Sequence, residues 1–205
     1  MKKIVITYLI LFLASSQSMA VEEGKFTPDD VKKFVEEIGN KIVGIANETS
    51  ASETKKREKI IAAIDEVIDT NWIAKFVLGK NYKIATDEQK SSFIKLYRGF
   101  MINTYGPKFK NYNGRRFTVS DVAVQNGFYI AKAEFLPRES NVAISVDFRV
   151  KEKEGRLMVL DFVAEGVSLI ETQRSEFNSA ISQKGMDKFL EDFAARVKIL
   201  SASKK

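Results

Sequence analysis

The sequence contains no cysteine and no histidine. Without these residues there is no disulfide framework, no thiolate or imidazole metal site, no Ser-His-Asp triad and no catalytic cysteine. An enzyme built from this chain would have to work with carboxylates, lysine, tyrosine, serine or threonine.

Proline is also scarce, with 3 among 205 residues, while hydrophobic residues make up 44%. This composition excludes a proline-rich stalk and a disordered chain, neither of which buries a core. Glycine-rich phosphate loops of the GxxxxGK[ST] or GxGxxG kind are absent from the sequence. A chain of this length is long enough for one domain with a sizeable core.

The first twenty residues have the three-part pattern of a secretory signal peptide. A basic start is followed by an apolar run over residues 4–14, and then by the small residues Ser18 and Ala20 at the recognition positions for cleavage. We expect cleavage after Ala20 and a single domain over residues 21–205. An uncleaved N-terminal membrane anchor is the alternative, although the apolar run is short for a spanning helix. Lipid attachment at this point is excluded because no cysteine is present.

Cleavage would leave 205 − 20 = 185 residues and remove Lys2 and Lys3, so the net charge would fall from +6 to +4. No later segment is apolar for long enough to span a bilayer, and we therefore expect a soluble, exported chain. Export without cysteine indicates a bacterial envelope protein that is stabilised by its core alone. The small positive charge suits an anionic membrane surface and ordinary solubility equally well.

Helix signals occur at several points in the chain. Thr27 followed by Pro28 indicates an N-cap and a first helical residue, Thr86 with Gln89 forms a capping box, and Ser168 begins a similar pattern. Apolar residues recur at helical spacing over residues 28–45, 55–68, 72–78, 86–105, 168–184 and 186–197.

Helix ends and solvent faces follow from the same pattern. We expect Gly79, Gly106-Pro107 and Gly185 to terminate helices. On the second helix we place the basic residues on the solvated side, opposite the isoleucines: Lys55, Lys56, Arg57 and Lys59.

The middle of the chain changes to strand-like patterning, with turn residues at Asn126-Gly127, 138–140 and Glu154-Gly155. This predicts a four-stranded antiparallel meander over residues 115–125, 128–137, 141–152 and 156–164. Helices, meander and helices in that order predict an α+β domain, with the helical part at about 27–112 and 168–200 and the sheet at about 115–165.

Candidates for chemistry are few. Asp147 and Asp161 lie on adjacent predicted strands and would suit an acid/base pair, although solvent exposure is the simpler interpretation. A basic, aromatic group is explained more simply by a solvated sheet edge than by nucleic-acid binding: Lys108, Lys110, Tyr112, Arg115 and Arg116. We expect no metal, no cofactor and no nucleic-acid partner. The abundant apolar residues indicate either a filled core or a cavity, and the pattern alone leaves both open.

A resemblance to a known family begins at residues 78–86 (LGKNYKIAT) and extends through Gln89, Phe93 and Tyr105. It continues over nearly the whole mature chain through Tyr112, Val146-Asp147-Phe148-Arg149-Val150, Asp161, Glu165-Gly166-Val167-Ser168-Leu169, Arg174, Phe177 and Gly185. The chain resembles the MlaC-like, toluene-tolerance family of periplasmic phospholipid-binding proteins. One departure is Tyr82, where the family usually has tryptophan.

The resemblance implies a helical part packed on a strongly curved sheet, like that of the nuclear transport factor 2-like fold, with a deep apolar pocket between them. It implies a monomeric, non-enzymatic phospholipid carrier that maintains outer-membrane lipid asymmetry. Its partners would be an outer-membrane lipoprotein–porin complex and an inner-membrane ABC transporter with its lipid-binding ring subunit, with transient contact to membrane surfaces.

We expect acyl chains to contact one helical wall and one sheet wall of such a pocket. The helical candidates are Leu78, Tyr82, Phe93, Leu96, Tyr97, Phe100, Met101 and Tyr105. The sheet candidates are Ile144, Val146, Phe148 and Val163. On this basis Phe100→Glu should abolish lipid retention and leave the helix intact. For Glu165 and Arg174 we expect only a structural turn and an ion pair.

Two other functions remain open from the sequence. One is a ketosteroid-isomerase-like or lipid-modifying enzyme on the same scaffold, with Asp147 or Asp161 as base and Tyr82 or Tyr105 as oxyanion donor. The other is a chaperone for the acyl chains of lipoproteins.

Overall fold

A computed structural model describes residues 25–105, 114–137 and 141–202. The predicted signal peptide, the predicted helix end at Gly106-Pro107, the candidates Lys108, Lys110 and Tyr112, and the predicted turn at 138–140 lie outside the described residues. Within the described ranges, no helix is long and apolar enough to cross a membrane.

Helices flank the sheet on both sides in the sequence. Those before it are α1 (Pro28–Ala46), α2 (Glu53–Asp65), α3 (Thr70–Leu78), α4 (Lys80–Ile84) and α5 (Asp87–Tyr105). Those after it are α6 (Leu169–Lys184) and α7 (Met186–Ala202). The predicted helices are confirmed, except that α2 ends at Asp65 and leaves Val67 and Ile68 in the connection to α3, where Ile68 bridges to Val159. The short α4 between Gly79 and the next cap is an addition that the sequence pattern missed.

The predicted helix caps are formed. Thr27 caps α1, and its hydroxyl accepts a hydrogen bond from the Asp30 N–H at 3.2 Å. At α5 the Thr86 N–H donates to Gln89 Oε1 at 2.9 Å, while the Gln89 N–H donates to Thr86 Oγ1 at 3.2 Å. These bonds satisfy backbone donors that a helix start leaves free, so each helix begins at a defined residue.

The sheet is an open antiparallel meander in the order β1-β2-β3-β4-β5. Its strands are β1 (Gly114–Gln125), β2 (Phe128–Pro137), β3 (Ile144–Lys153), β4 (Arg156–Ala164) and β5 (Val167–Ser168). The predicted meander is confirmed and is one short strand longer than expected. Bulges between Val119 and Asp121 and between Arg149 and Val150 interrupt the register, and such bulges bend and twist a strand.

Three Xaa-Gly pairs make the tight turns of this sheet. Asn126-Gly127, Glu154-Gly155 and Glu165-Gly166 have positive φ at both residues, between 51° and 77°, as a type I′ turn requires. The first two were predicted as hairpins, and the third is the structural turn expected for Glu165.

One core lies among α3, α5, α6 and α7. Its centre is a cluster of aromatic rings in which Phe177 lies 6.0 Å from Phe93 and 5.0 Å from Phe193, measured between ring centroids. These side chains are at most 3% exposed. This part of the helical layer is therefore filled.

A second core lies where α1 packs on the sheet, with Val31 and Val35 buried against strand residues such as Val119 and Val150. Gly39 permits the closest contact, because a Cβ at this position would lie 2.1 Å from the Phe117 ring. Further along, the Val159 N–H of β4 donates to the carbonyl oxygen of Val67 at 2.7 Å. This bond attaches the connection between α2 and α3 to β4, so that α2 is held beside the sheet.

Candidate functional site

An apolar cavity of about 870 Å³ lies between the helices and one face of the sheet. This volume is near the upper end of the range of roughly 300–1,000 Å³ that is usual for ligand sites. Its walls come from α1, α2, α3, α5, α6 and all strands of the sheet.

The sheet wall follows from strand alternation. Phe117, Ala133, Phe135, Ile144, Val146, Phe148, Val159, Phe162 and Ala164 line it. Val146 is paired with Ala164, and Phe148 with Phe162, so neighbouring strands present side chains to the cavity in register. The Phe148 ring packs edge-on against Phe162, with 5.1 Å between centroids.

The helical wall is built from aliphatic rows. The α2 residues Ile60, Ile61 and Ile64 and the α1 residues Ile38 and Ile42 line it. On α5 the wall residues are Tyr97, Met101, Ile102 and Tyr105, which recur at helical spacing. The isoleucines of α1 and α2 were expected to be buried apolar stripes, but their part in the cavity was not foreseen.

Uncharged polar groups interrupt the α5 wall at one place. The Tyr97 hydroxyl donates to Gln173 Oε1 at 2.5 Å, and Gln173 Nε2 lies 3.4 Å from the Tyr105 hydroxyl. Burial raises the pKa of Tyr97, and the nearby Tyr105 and Asp161 raise it further. Burial also raises the pKa of Tyr105. Both phenols therefore stay neutral at physiological pH, and this stretch of wall carries no charge.

Charged side chains on the wall are Arg57, Asp65 and Arg98. Arg98 forms an ion pair with Asp65. Arg57 was predicted to face solvent with the neighbouring lysines, and that prediction is wrong: its side chain is partly buried and lines the cavity. The reason is helical spacing, since Arg57 precedes Ile60 and Ile61 by three and four residues and shares their face.

The cavity opens to solvent beside β3 and β5. Ile144 and Val167 line it, yet they are 51% and 61% exposed. Large apolar side chains at this exposure mark the rim of an opening rather than a packed wall.

The structure separates the predicted site residues into two groups. Those on the cavity wall are Tyr97, Met101, Tyr105, Ile144, Val146 and Phe148. The others lie elsewhere: Leu78, Phe93 and Phe100 are buried in the helical core and Tyr82 and Leu96 pack against it, while Val163 lies on the opposite face of β4. That lipid contacts the wall residues stays a prediction.

Two of these placements have a clear physical cause. On α5, Phe93 and Phe100 point toward α6 and α7, whereas Met101 and Tyr105 lie on the face toward the sheet. On β4, Phe162 and Ala164 line the cavity, so Val163 between them points the other way.

Phe100→Glu is consequently a poor test of lipid binding. Phe100 is 3% exposed, and its ring lies 5.4 Å from that of Phe193. A carboxylate at this position would replace buried ring contacts, and the Arg196 guanidinium, which lies 4.8 Å from the centre of the Phe100 ring, would compensate only part of that loss. We therefore expect the variant to be strongly destabilised.

Neither aspartate of the enzyme alternative lines the cavity. Asp161 was expected to be solvent-exposed, and that is wrong: it is 1% exposed and accepts hydrogen bonds from the Ser168 hydroxyl at 2.5 Å and the Ile170 N–H at 3.2 Å. It thereby joins β4 to the start of α6. Of the two proposed oxyanion donors, Tyr82 lies outside the wall and Tyr105 lines it. The cavity therefore holds one proposed donor and neither proposed base.

Arg174 has a structural contact of a kind that differs from the expected ion pair. Its Nη1 donates to the carbonyl oxygen of Phe76 at 3.1 Å, and its guanidinium lies 4.7 Å from the centre of the Phe76 ring. This contact fixes the end of α3 on α6.

The fold and cavity define a class of α+β protein in which an open antiparallel sheet and a helical layer enclose an apolar space. A family model described as MlaC protein matches residues 32–195. The chain belongs to the MlaC family.

Among solved structures, the chain is similar to the phospholipid-binding protein from Ralstonia solanacearum, determined in complex with a phospholipid. The TM-score is 0.65 at 19% sequence identity, and the match covers 82% of this chain and 98% of that one. At this identity the likeness shows a shared fold.

Proposed function

We propose that this protein is a phospholipid carrier of the periplasm that holds the acyl chains of its lipid in the apolar cavity. The observation that carries this proposal is the cavity itself: a volume of about 870 Å³ whose wall is apolar apart from a few hydroxyl and charged groups. The phospholipid in the related Ralstonia protein supports the same choice of ligand.

The energetics of lipid transfer explain why such a cavity is needed. Burying one CH₂ group is worth about 0.8 kcal/mol, so a sixteen-carbon chain represents on the order of 12 kcal/mol before the costs of association. A lipid therefore leaves a bilayer very slowly on its own. A carrier must nearly match the hold of the bilayer on the tails without greatly exceeding it, because otherwise the lipid would not be released.

Family membership supports the more specific role. The carrier would exchange lipid with an outer-membrane lipoprotein–porin complex and with an inner-membrane ABC transporter through its ring subunit, and so maintain outer-membrane lipid asymmetry. The headgroup would remain near solvent at an opening of the cavity, which suits delivery to a membrane or a partner.

Vesicle transfer of residues 21–205 tests this function. Donor vesicles containing a radiolabelled phospholipid are separated from acceptor vesicles by a dialysis membrane that passes the protein. We expect the label to reach the acceptors only when the protein is present, as intact diacyl phospholipid. Absence of transfer together with absence of lipid in the recovered protein would refute the carrier role. Protein purified from its own envelope with an acylated peptide bound, in place of diacyl phospholipid, would identify a lipoprotein chaperone.

A further inference from the structure

Arg57 is a cation on the cavity wall that forms no hydrogen bond or ion pair with any residue that the structure describes. The other arginine of the wall, Arg98, is neutralised by Asp65. Arg57 is partly buried and lines the apolar cavity, where no described carboxylate pairs with its guanidinium. An unpaired cation in such surroundings is stabilised by an anion that enters the cavity beside it.

The neighbours of Arg57 on α2 indicate what kind of anion fits. Ile60, Ile61 and Ile64 follow it along the same apolar wall. Asp65, the other charged wall residue of this helix, is eight positions away, which corresponds to about 12 Å along a helix. A ligand beside Arg57 would therefore have an anionic group at one end and an apolar body that extends along the isoleucines.

The guanidinium group favours phosphate among biological anions of this description. Its planar N–H groups can donate two parallel hydrogen bonds to a phosphate, and its charge is retained at any physiological pH. Aliphatic wall and arginine together match a lipid whose phosphate adjoins its acyl chains.

We propose that Arg57 binds the phosphate of the lipid headgroup and so fixes how far the acyl chains enter the cavity. This assignment rests on the proposed function. It predicts selectivity for lipids with a phosphate over neutral diacylglycerol, while choline, ethanolamine and glycerol headgroups remain interchangeable because they lie beyond the phosphate.

The test compares Arg57→Met with Arg57→Lys and with a matched control, Lys55→Met. Methionine keeps an apolar stem and removes the charge. Lys55 is exposed on the same helix and does not line the cavity, so its substitution changes the net charge equally. Each protein is loaded from vesicles containing dipalmitoyl phosphatidylglycerol, dipalmitoyl phosphatidylethanolamine or dipalmitoylglycerol, and the bound lipid is quantified by native mass spectrometry.

We expect Arg57→Met to weaken retention of both phospholipids about 10- to 100-fold, the range of a charge-assisted hydrogen bond. Retention of dipalmitoylglycerol should be unchanged. Arg57→Lys should fall between the wild type and Arg57→Met, and Lys55→Met should behave as the wild type.

Several results would overturn the assignment. Equal loss of phospholipid and diacylglycerol in Arg57→Met would mean that the side chain only packs, and unchanged retention of both would mean that it does not contact the lipid. Binding of inorganic phosphate to the lipid-free wild type, lost in Arg57→Met without effect on lipid, would indicate a free-anion site instead. If Arg57→Met does not fold, the comparison is made between the wild type and Arg57→Lys. The assignment is then overturned if both proteins retain phospholipid and diacylglycerol in the same ratio. A wild type that loads none of the three lipids would instead refute the proposed function.

Discussion

Substituting one valine on each face of the sheet distinguishes an effect on lipid affinity from an effect on the stability of the fold. Val146 lines the cavity, whereas Val163 lies one register position away on the adjacent strand and faces the other side. Both side chains are of intermediate exposure and both lie in strands. Val146→Gln and Val163→Gln are therefore a matched pair.

The magnitude follows from what each glutamine meets. In both variants the loss of strand propensity costs at most about 1 kcal/mol of the free energy of unfolding. In the empty cavity the amide of Val146→Gln stays hydrated, but acyl chains would strip its water. Such desolvation costs about 1–3 kcal/mol, which lowers lipid affinity about 5- to 150-fold. Val163→Gln has no such cost because its amide remains on the other face.

The assay pairs urea unfolding with lipid loading. Each variant is loaded from phosphatidylglycerol vesicles, and bound lipid is titrated by native mass spectrometry, while the urea midpoint is measured on delipidated protein. We expect similar midpoints and a loss of lipid in Val146→Gln alone. Equal retention by two folded variants, or equal loss in both, would refute the assignment of the cavity wall.

Three further predictions concern stability. Asp161→Ala should lower the free energy of unfolding by about 3–5 kcal/mol in urea titrations, because it leaves buried donors unpaired. The control Asp147→Ala should lower it much less. Equal losses in the two variants would contradict the role of Asp161 in joining β4 to the start of α6. Gly39→Ala should cost about 1–3 kcal/mol or more, since its Cβ would lie 2.1 Å from the Phe117 ring, and an unchanged thermal midpoint would show that α1 does not pack as described. Burial raises the pKa of Tyr97 above its ordinary value of 10.0. Above about pH 10 the folded state therefore holds a proton that the unfolded state releases. The contribution of this group to the free energy of unfolding should be fully present below about pH 10 and should fall above it. Tyr97→Phe should flatten this alkaline fall in a pH series of urea midpoints, and an equally steep fall in the variant would assign it to other groups.

The helices and strands could be predicted from the sequence because the interactions that begin helices and form turns are made between residues close together in the chain. The caps at Thr27 and Thr86 satisfy backbone donors within four residues, and Asn126-Gly127 fixes a turn from its own φ preferences. These interactions do not depend on the rest of the fold, so a single sequence is enough to recognise them.

The cavity could not be delimited in the same way. Both the filled core and the cavity wall are apolar, and α5 contributes to both. The adjacent residues Phe100 and Met101 show this, since Phe100 lies in the core and Met101 lines the cavity. On β4, the run Phe162-Val163-Ala164 is apolar throughout, so no alternation indicates which side chain faces inward. The spacing of Arg57 to Ile60 and Ile61 shows in the sequence that they share a helix face, but that this face lines a cavity depends on where α2 lies against the sheet, which is a tertiary property.

The most direct test of the central claim is native mass spectrometry of the mature protein, purified from its own envelope without detergent and followed by solvent extraction of the bound species. If the cavity holds the tails of a transported phospholipid, each chain should carry about one lipid equivalent, with mixed headgroups, and Val146→Gln should carry markedly less. A lipid-free mass, from protein that also takes no lipid from vesicles, would contradict the account.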